Sequence, residues 1–185
     1  MQYLSSSFCS SSLVALVGNF PLVGFSGSRH SNSPAALACR QFVPLLGSYQ
    51  GSVVVGCARG VDSLVRQQFP LAQVFKVQPP INRGAFAKRS ARMVHHVAAS
   101  SGLLVVFPST ACPQKVVPST SFGGFGSGSW GSAALAIGLG VPVLLFVPSS
   151  SVLPAPSAAV PAGRQVACHF QLLGSSLGGS WWLAS

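Results

Sequence analysis

Four short segments hold the residues of this sequence best suited to gripping an anion. GFSGSRHS carries Gly27, Ser28 and Arg29, and GCARGVD carries Gly56, Arg59 and Gly60. INRGAFAKRSARMVHH carries Arg83, Lys88, Arg89 and Arg92, and FGGFGSGSWGSA carries Ser127, Gly128, Ser129 and Trp130. Small residues let backbone N–H groups approach a phosphate, and a neighbouring arginine adds a fork of donors. On a helix, Lys88, Arg92 and His96 share one face at i, i+4 and i+8, with Arg89 beside them. Like charges stacked this way repel by roughly a few tenths of a kcal/mol per pair. No acidic side chain in that segment offsets the repulsion, so an external phosphate is the natural partner. The glycine loop is not a P-loop, because no Gly-Lys-Ser/Thr follows it. Within it, Phe125 and Trp130 are each placed either to stack on a base or to pack on the core.

The composition narrows the chemistry. Among 185 residues there are eleven Lys and Arg against a single acidic side chain, Asp62, for a formal net charge of +10. Glycosidases and two-metal nucleases need at least two carboxylates, and hard cations are normally held by Asp and Glu. Catalysis that needs a pair of carboxylates is therefore not expected within one chain, and polyanions become the expected partners. Asp62 itself is expected to be the N-cap of the helix that follows it. Five cysteines (Cys9, Cys39, Cys57, Cys112 and Cys168) lie far apart with no CxxC pattern. They are expected to be free thiols in a reducing compartment, with no metal and no cofactor. Mean hydropathy is high at +0.53. Even so, the longest apolar run, residues 133–147, is broken by Gly138, Gly140 and Pro142. It falls short of the roughly 20 residues that a membrane-spanning helix needs. No membrane association is expected, and the cytoplasm is the expected location.

These segments need elements to hold them, and the apolar pattern supplies a scheme. Short β-branched runs at residues 21–27, 52–56, 72–77, 103–107 and 142–147 read as strands. Helix-compatible stretches fall between them at 34–47, from Asp62 to before Pro70, at 84–99 and at about 132–139. Near-continuous apolar strands alternating with helices indicate a parallel sheet covered on both faces. The expected fold class is α/β, a Rossmann-like doubly wound, mostly parallel sheet in a single domain. Its expected limits are residues 20–148, after an N-terminal extension over 1–19. Residues 149–185 read as a Pro/Ser-rich linker and a C-terminal tail bearing Trp181 and Trp182. That tail is expected either to dock on a neighbouring subunit or to pack on its own core. In such sheets ligands bind beyond the carboxyl ends of the strands, where all four segments are expected to meet.

The ordered set GFSGSRHS, VVVGCARGVD, FAKRSARMVHHVAASSGLLVVFPS and GSGSWGSAALAIGLGVPVLLFVPS resembles the Rossmann-like domain of the DNA-processing protein A (DprA/Smf) family. That family sits in the SLOG group, together with the LOG phosphoribohydrolases. The resemblance spans roughly residues 20–150. It implies single-stranded DNA binding without catalysis, self-association, and delivery of a recombinase to DNA. The family's GSR turn falls on Gly27, Ser28 and Arg29, and its SGlArGiD segment on Gly56 through Asp62. Its basic segment falls on Lys88, Arg89 and Arg92, with Ser90 where the family has Asn. In the LOG branch a PGGxGTxxE loop supplies a catalytic Glu, and Leu135 stands at that position here. The expectation is thus a non-enzymatic binder of single-stranded DNA or RNA that forms a homo-oligomer. The alternatives are a nucleotide-sensing SLOG domain or, less favoured, a phosphoribohydrolase relative without its Glu. A recombinase partner follows from the resemblance only.

Overall fold

Val53, Val54 and Val55, and every residue from Leu103 to Phe107, are buried although neighbouring side chains point to opposite faces. A run that is apolar on both faces finds cover only in the middle of a sheet packed on two sides. The computed structural model, which describes residues 10–149 and 170–184, places both runs there. Its helices and strands in chain order are α1 (Ser10–Gly18), β1 (Leu22–Gly27), α2 (Pro34–Phe42), β2 (Ser52–Gly56), α3 (Val61–Gln68) and β3 (Gln73–Phe75). There follow α4 (Arg83–Ala99), β4 (Leu103–Phe107), α5 (Gly128–Gly138), β5 (Val143–Pro148), β6 (Phe170–Ser176) and β7 (Gly179–Ala184).

The seven strands form one sheet in the order β3-β2-β1-β4-β5-β7-β6. Strands β1 to β5 are mutually parallel, and β7 and β6 join antiparallel beyond β5. The chain steps outward from β1 to β3, then returns to the other side of β1 as β4. The carboxyl ends of β1 and β4 are therefore the point where the winding direction reverses, and a crevice opens at such a point. Val23, Phe25, Val55, Val105 and Phe146 face a core closed by α1, α2 and α3. Leu22, Val54, Leu104, Val106 and Leu145 face a second core closed by α4 and α5. The sheet is doubly wound and mostly parallel.

Caps fix where the helices begin. Ser33 accepts a hydrogen bond from the Ala36 amide at 3.2 Å, with Pro34 at the first helical position. Asn82 Oδ1 accepts from the Ala85 amide at 2.8 Å to start α4. Ser127 caps α5, which consequently starts at Gly128 rather than at about 132. The expected helix over 34–47 is shorter as an α-helix. It ends at Phe42 and tightens into a 3-10 turn over Val43–Leu46, since Pro44 has no N–H to donate back to the helix. The expected strand over 72–77 is paired only at Gln73–Phe75.

Two regions read as extension and tail contribute to the body. Helix α1 buries Leu13 and Val17 completely. At the other end, β6 and β7 form a hairpin whose inner strand pairs with β5 from Val143↔Ala184 to Pro148↔Gly179. Trp181 on β7 is fully buried, with its ring 4.8 Å from that of Phe42 and 5.2 Å from that of Phe146. The Pro/Ser-rich segment expected to be a linker lies outside the described residues from 150 to 169. No helix among the described residues is long and apolar enough to cross a membrane.

Candidate functional site

The turn after β1 is tied by backbone hydrogen bonds to the end of β4 and to the start of α3. The Ser28 amide donates to the Phe107 carbonyl, and the Val61 amide donates to the Ser28 carbonyl, both at 2.9 Å. The turn after β1 is thus clamped between β4 and the start of α3. Gly27 is required by packing, because a Cβ there would lie 2.6 Å from Val61. Gly60 is the N-cap of α3, with φ 67° and ψ −127°, a conformation that side chains resist. A Cβ on Gly60 would also collide with the Ser28 carbonyl. Ser28 is buried, and its hydroxyl accepts the His30 amide at 3.1 Å.

The turn after β2 is held from within. Arg66 donates to the Gly56 carbonyl at 2.6 Å and to the Ala58 carbonyl at 3.0 Å. Asp62 accepts the Ala58 amide at 3.1 Å. Asp62 is therefore not the helix cap expected from its position. Gly60 takes that place, and the carboxylate in the first turn of α3 reaches back to its own loop. Its second partner is Arg89, whose Nη1 lies 2.9 Å from Asp62 Oδ2. Both side chains are about 6% exposed. Gly56 is explained by the same pair: a Cβ there would occupy the space of the Arg89 guanidinium. The glycine admits a buried cation.

Arg89 was expected among the phosphate-binding residues, and the structure places it inside, ion-paired to Asp62. Its neighbours stay outside. Lys88 and Arg92 are exposed on α4, and Arg92 donates to the Lys76 carbonyl at 2.7 Å. Arg59 is exposed in the turn after β2. Arg29 is exposed after β1, with its guanidinium carbon 4.4 Å from the centre of the Phe86 ring. Stacking on the ring face holds Arg29 by a cation–π contact while leaving the N–H edge of its fork free. Arg83 is the first residue of α4.

The glycine-rich loop delivers the first turn of α5 to the same edge. Ser132 on α5 accepts a hydrogen bond from Ser26 on β1 at 3.2 Å. Ser127 accepts the Trp130 amide at 3.4 Å and shares a 3.2 Å hydroxyl contact with Ser129. The amides of Gly128 and Ser129 in the first turn have no acceptor among the described residues, as is usual for a helix start. Gly128 faces open space, so an anion has room to approach there. Trp130, expected as a candidate stacking residue, is 2% exposed and donates from Nε1 to the Thr110 carbonyl at 2.9 Å. It is a core residue with a satisfied N–H. The exposed aromatic of the loop is Phe125, which is 61% exposed.

Arg29 and Arg59 therefore stand exposed in turns at the carboxyl edge, Lys88 and Arg92 stand exposed on α4, and Ser132 ties the start of α5 to β1. Arg66 and Phe86 were not singled out in the sequence, although each braces a residue that was. A hint of both exists in the spacing. Arg66 lies four residues after Asp62 on one helix face, and Phe86 is the aromatic in the basic segment.

A doubly wound parallel sheet with basic, glycine-rich turns at its carboxyl edge defines a Rossmann-like α/β domain. No family model matches the sequence, and no curated protein is similar to it at the sequence level. The fold is nevertheless DprA-like. It superposes on the structure of DNA processing protein A from Streptococcus pneumoniae with a TM-score of 0.50 at 15% identity, covering 72% of this chain and 53% of that one. This chain thus spans about half the length of that protein. A structure of DNA processing protein A from Helicobacter pylori, concerned with that protein's single-stranded DNA binding mode, gives a TM-score of 0.49 at 15% identity over 78% of each chain.

Proposed function

We propose that this chain binds single-stranded nucleic acid without performing chemistry on it. The phosphate backbone would lie along the edge formed by the turns after β1 and β2 and the first turn of α5, and along the exposed side of α4 from its start to Arg92. The observation that carries this reading is the disposition of charge. Arg29, Arg59, Lys88 and Arg92 are all exposed there, while the only carboxylate side chain of the sequence is buried against Arg89. With no other acidic side chain in the sequence to offset them, the edge is electrostatically incomplete until a polyanion arrives. Glycine-rich turns and free helix amides suit a flexible strand, whose phosphates can follow the protein backbone. The DprA-like fold supports the same reading, and self-association belongs with it.

Neutralising four phosphates of a single strand predicts a slope of about −3 in a plot of log affinity against log salt, at about −0.7 per contact. Anisotropy of a labelled oligonucleotide between about 50 and 200 mM salt measures it. Arg29→Ala and Arg59→Ala should each flatten the slope by about 0.7. An affinity that does not change with salt would overturn the proposal. Thermal stabilisation by a mononucleotide, with none from an oligonucleotide, would transfer the same edge to a nucleotide sensor. Sedimentation with and without oligonucleotide tests self-association, and a monomer under both conditions would remove that part of the reading.

A further inference from the structure

The loop between β4 and α5 holds a phenylalanine where neither the backbone nor the packing favours one. Phe125 has φ 43° and is 61% exposed. A left-handed backbone is unfavourable for a bulky side chain, and glycines stand on both sides of it at 124 and 126. Its aromatic neighbours in sequence behave differently, since Phe122 and Trp130 both pack into the core beneath α4 and α5. Phe125 belongs to neither core. Two other described non-glycine residues have positive φ, Ser101 and Leu177. Ser101 is small, and Leu177 is packed against the core. Among the described residues, Phe125 is thus the large side chain whose unfavourable backbone is matched by no burial.

Its position gives the ring a use. The Ser127 amide donates to the Gly124 carbonyl at 2.8 Å, which folds the loop onto the start of α5. A Cβ on Gly131 would meet the Gly124 α-carbon at 2.8 Å, so the two backbones touch. Ser132 of the same helix is bonded to β1. The loop that carries the ring accordingly stands at the carboxyl edge of the sheet, at the start of α5, with the ring edge turned over Gly123. An apolar face exposed next to an anion-binding edge matches the two parts of a nucleotide, base and phosphate.

We infer that Phe125 is a stacking platform for an unpaired nucleobase, so that the edge recognises a strand carrying bases and not a phosphate chain alone. The inference rests on the nucleic-acid reading above and deepens it. A base stacked on an aromatic ring changes affinity by about five- to a hundredfold. The test compares an oligothymidylate with an abasic strand of equal length and phosphate number, at one salt concentration. The unaltered protein should prefer the oligothymidylate by at least about fivefold. Phe125→Gly should bind both strands at the abasic level while keeping a thermal midpoint at or above that of the unaltered protein, because glycine relieves the backbone. Phe125→Trp should restore the preference. Equal affinity of the unaltered protein for the two strands, with the salt slope intact, overturns the stacking role and leaves the phosphate reading standing. Binding to neither strand removes both. A Phe125→Gly protein that melts earlier and weakens equally toward both strands makes Phe125 a packing residue and overturns the inference.

Discussion

The guanidinium of Arg89 fills the place where Gly56 would carry a side chain, and its 2.9 Å pair with Asp62 ties α4 to the turn after β2. Removing one partner of a buried ion pair strands the other charge, which typically costs about 3–5 kcal/mol. Asp62→Asn should accordingly destabilise the protein by that order in denaturant titrations. Combining it with Arg89→Met should recover much of the loss, because the stranded cation is gone. Strictly additive losses would show that the pair is not coupled. A second residue-scale expectation concerns the thiols. Burial, with a smaller contribution from the charge of Asp62, pushes the Cys39 thiol up to about 12, and burial pushes that of Cys112 to about 11. At pH 8, well below both values, each stays protonated and unreactive. Iodoacetamide followed by mass mapping should modify the half-buried Cys57 ahead of Cys39 and Cys112, and bound oligonucleotide should slow that reaction. Preferential modification of Cys39 in the folded protein would contradict its burial. Residue type alone could not separate these roles. Lys88, Arg89 and Arg92 share one basic segment, and only the packing of α4 decides that the middle one turns inward.

At the scale of elements, the sequence was readable where burial is two-sided. Strands β1, β2, β4 and β5 are continuous apolar runs because both of their faces are covered. The C-terminal hairpin was not readable. Its two-residue turn is Leu177-Gly178, with φ 58° and 77°, in a conformation that sequences usually mark with Asn-Gly or Asp-Gly. Leucine gives no such signal and is retained here by packing against the core. The site was legible in its segments and less so in its side chains. Trp130 looked like a loop residue until the Ser127 cap drew it into the first turn of α5. If the hairpin is an integral part of the sheet, Trp181→Ala should cost about 3–5 kcal/mol, the usual range for deleting a buried large aromatic. A thermal or denaturant midpoint unchanged by that substitution would mean that β7 contributes little to folding stability.

Across the described residues, positive charge is unevenly distributed. All cationic side chains of the described residues lie on α2, α3 and α4 or in the loops after β1 to β4. Helices α1 and α5 and strands β5, β6 and β7 carry none. The described residues therefore have an electrical asymmetry, and the sequence carries a net charge of +10. A body of this kind experiences a torque in the field of a polyanion before any contact is made, and it turns its loaded side forward while still diffusing. Approach would then be pre-oriented, and added salt would slow arrival far more than it hastens departure.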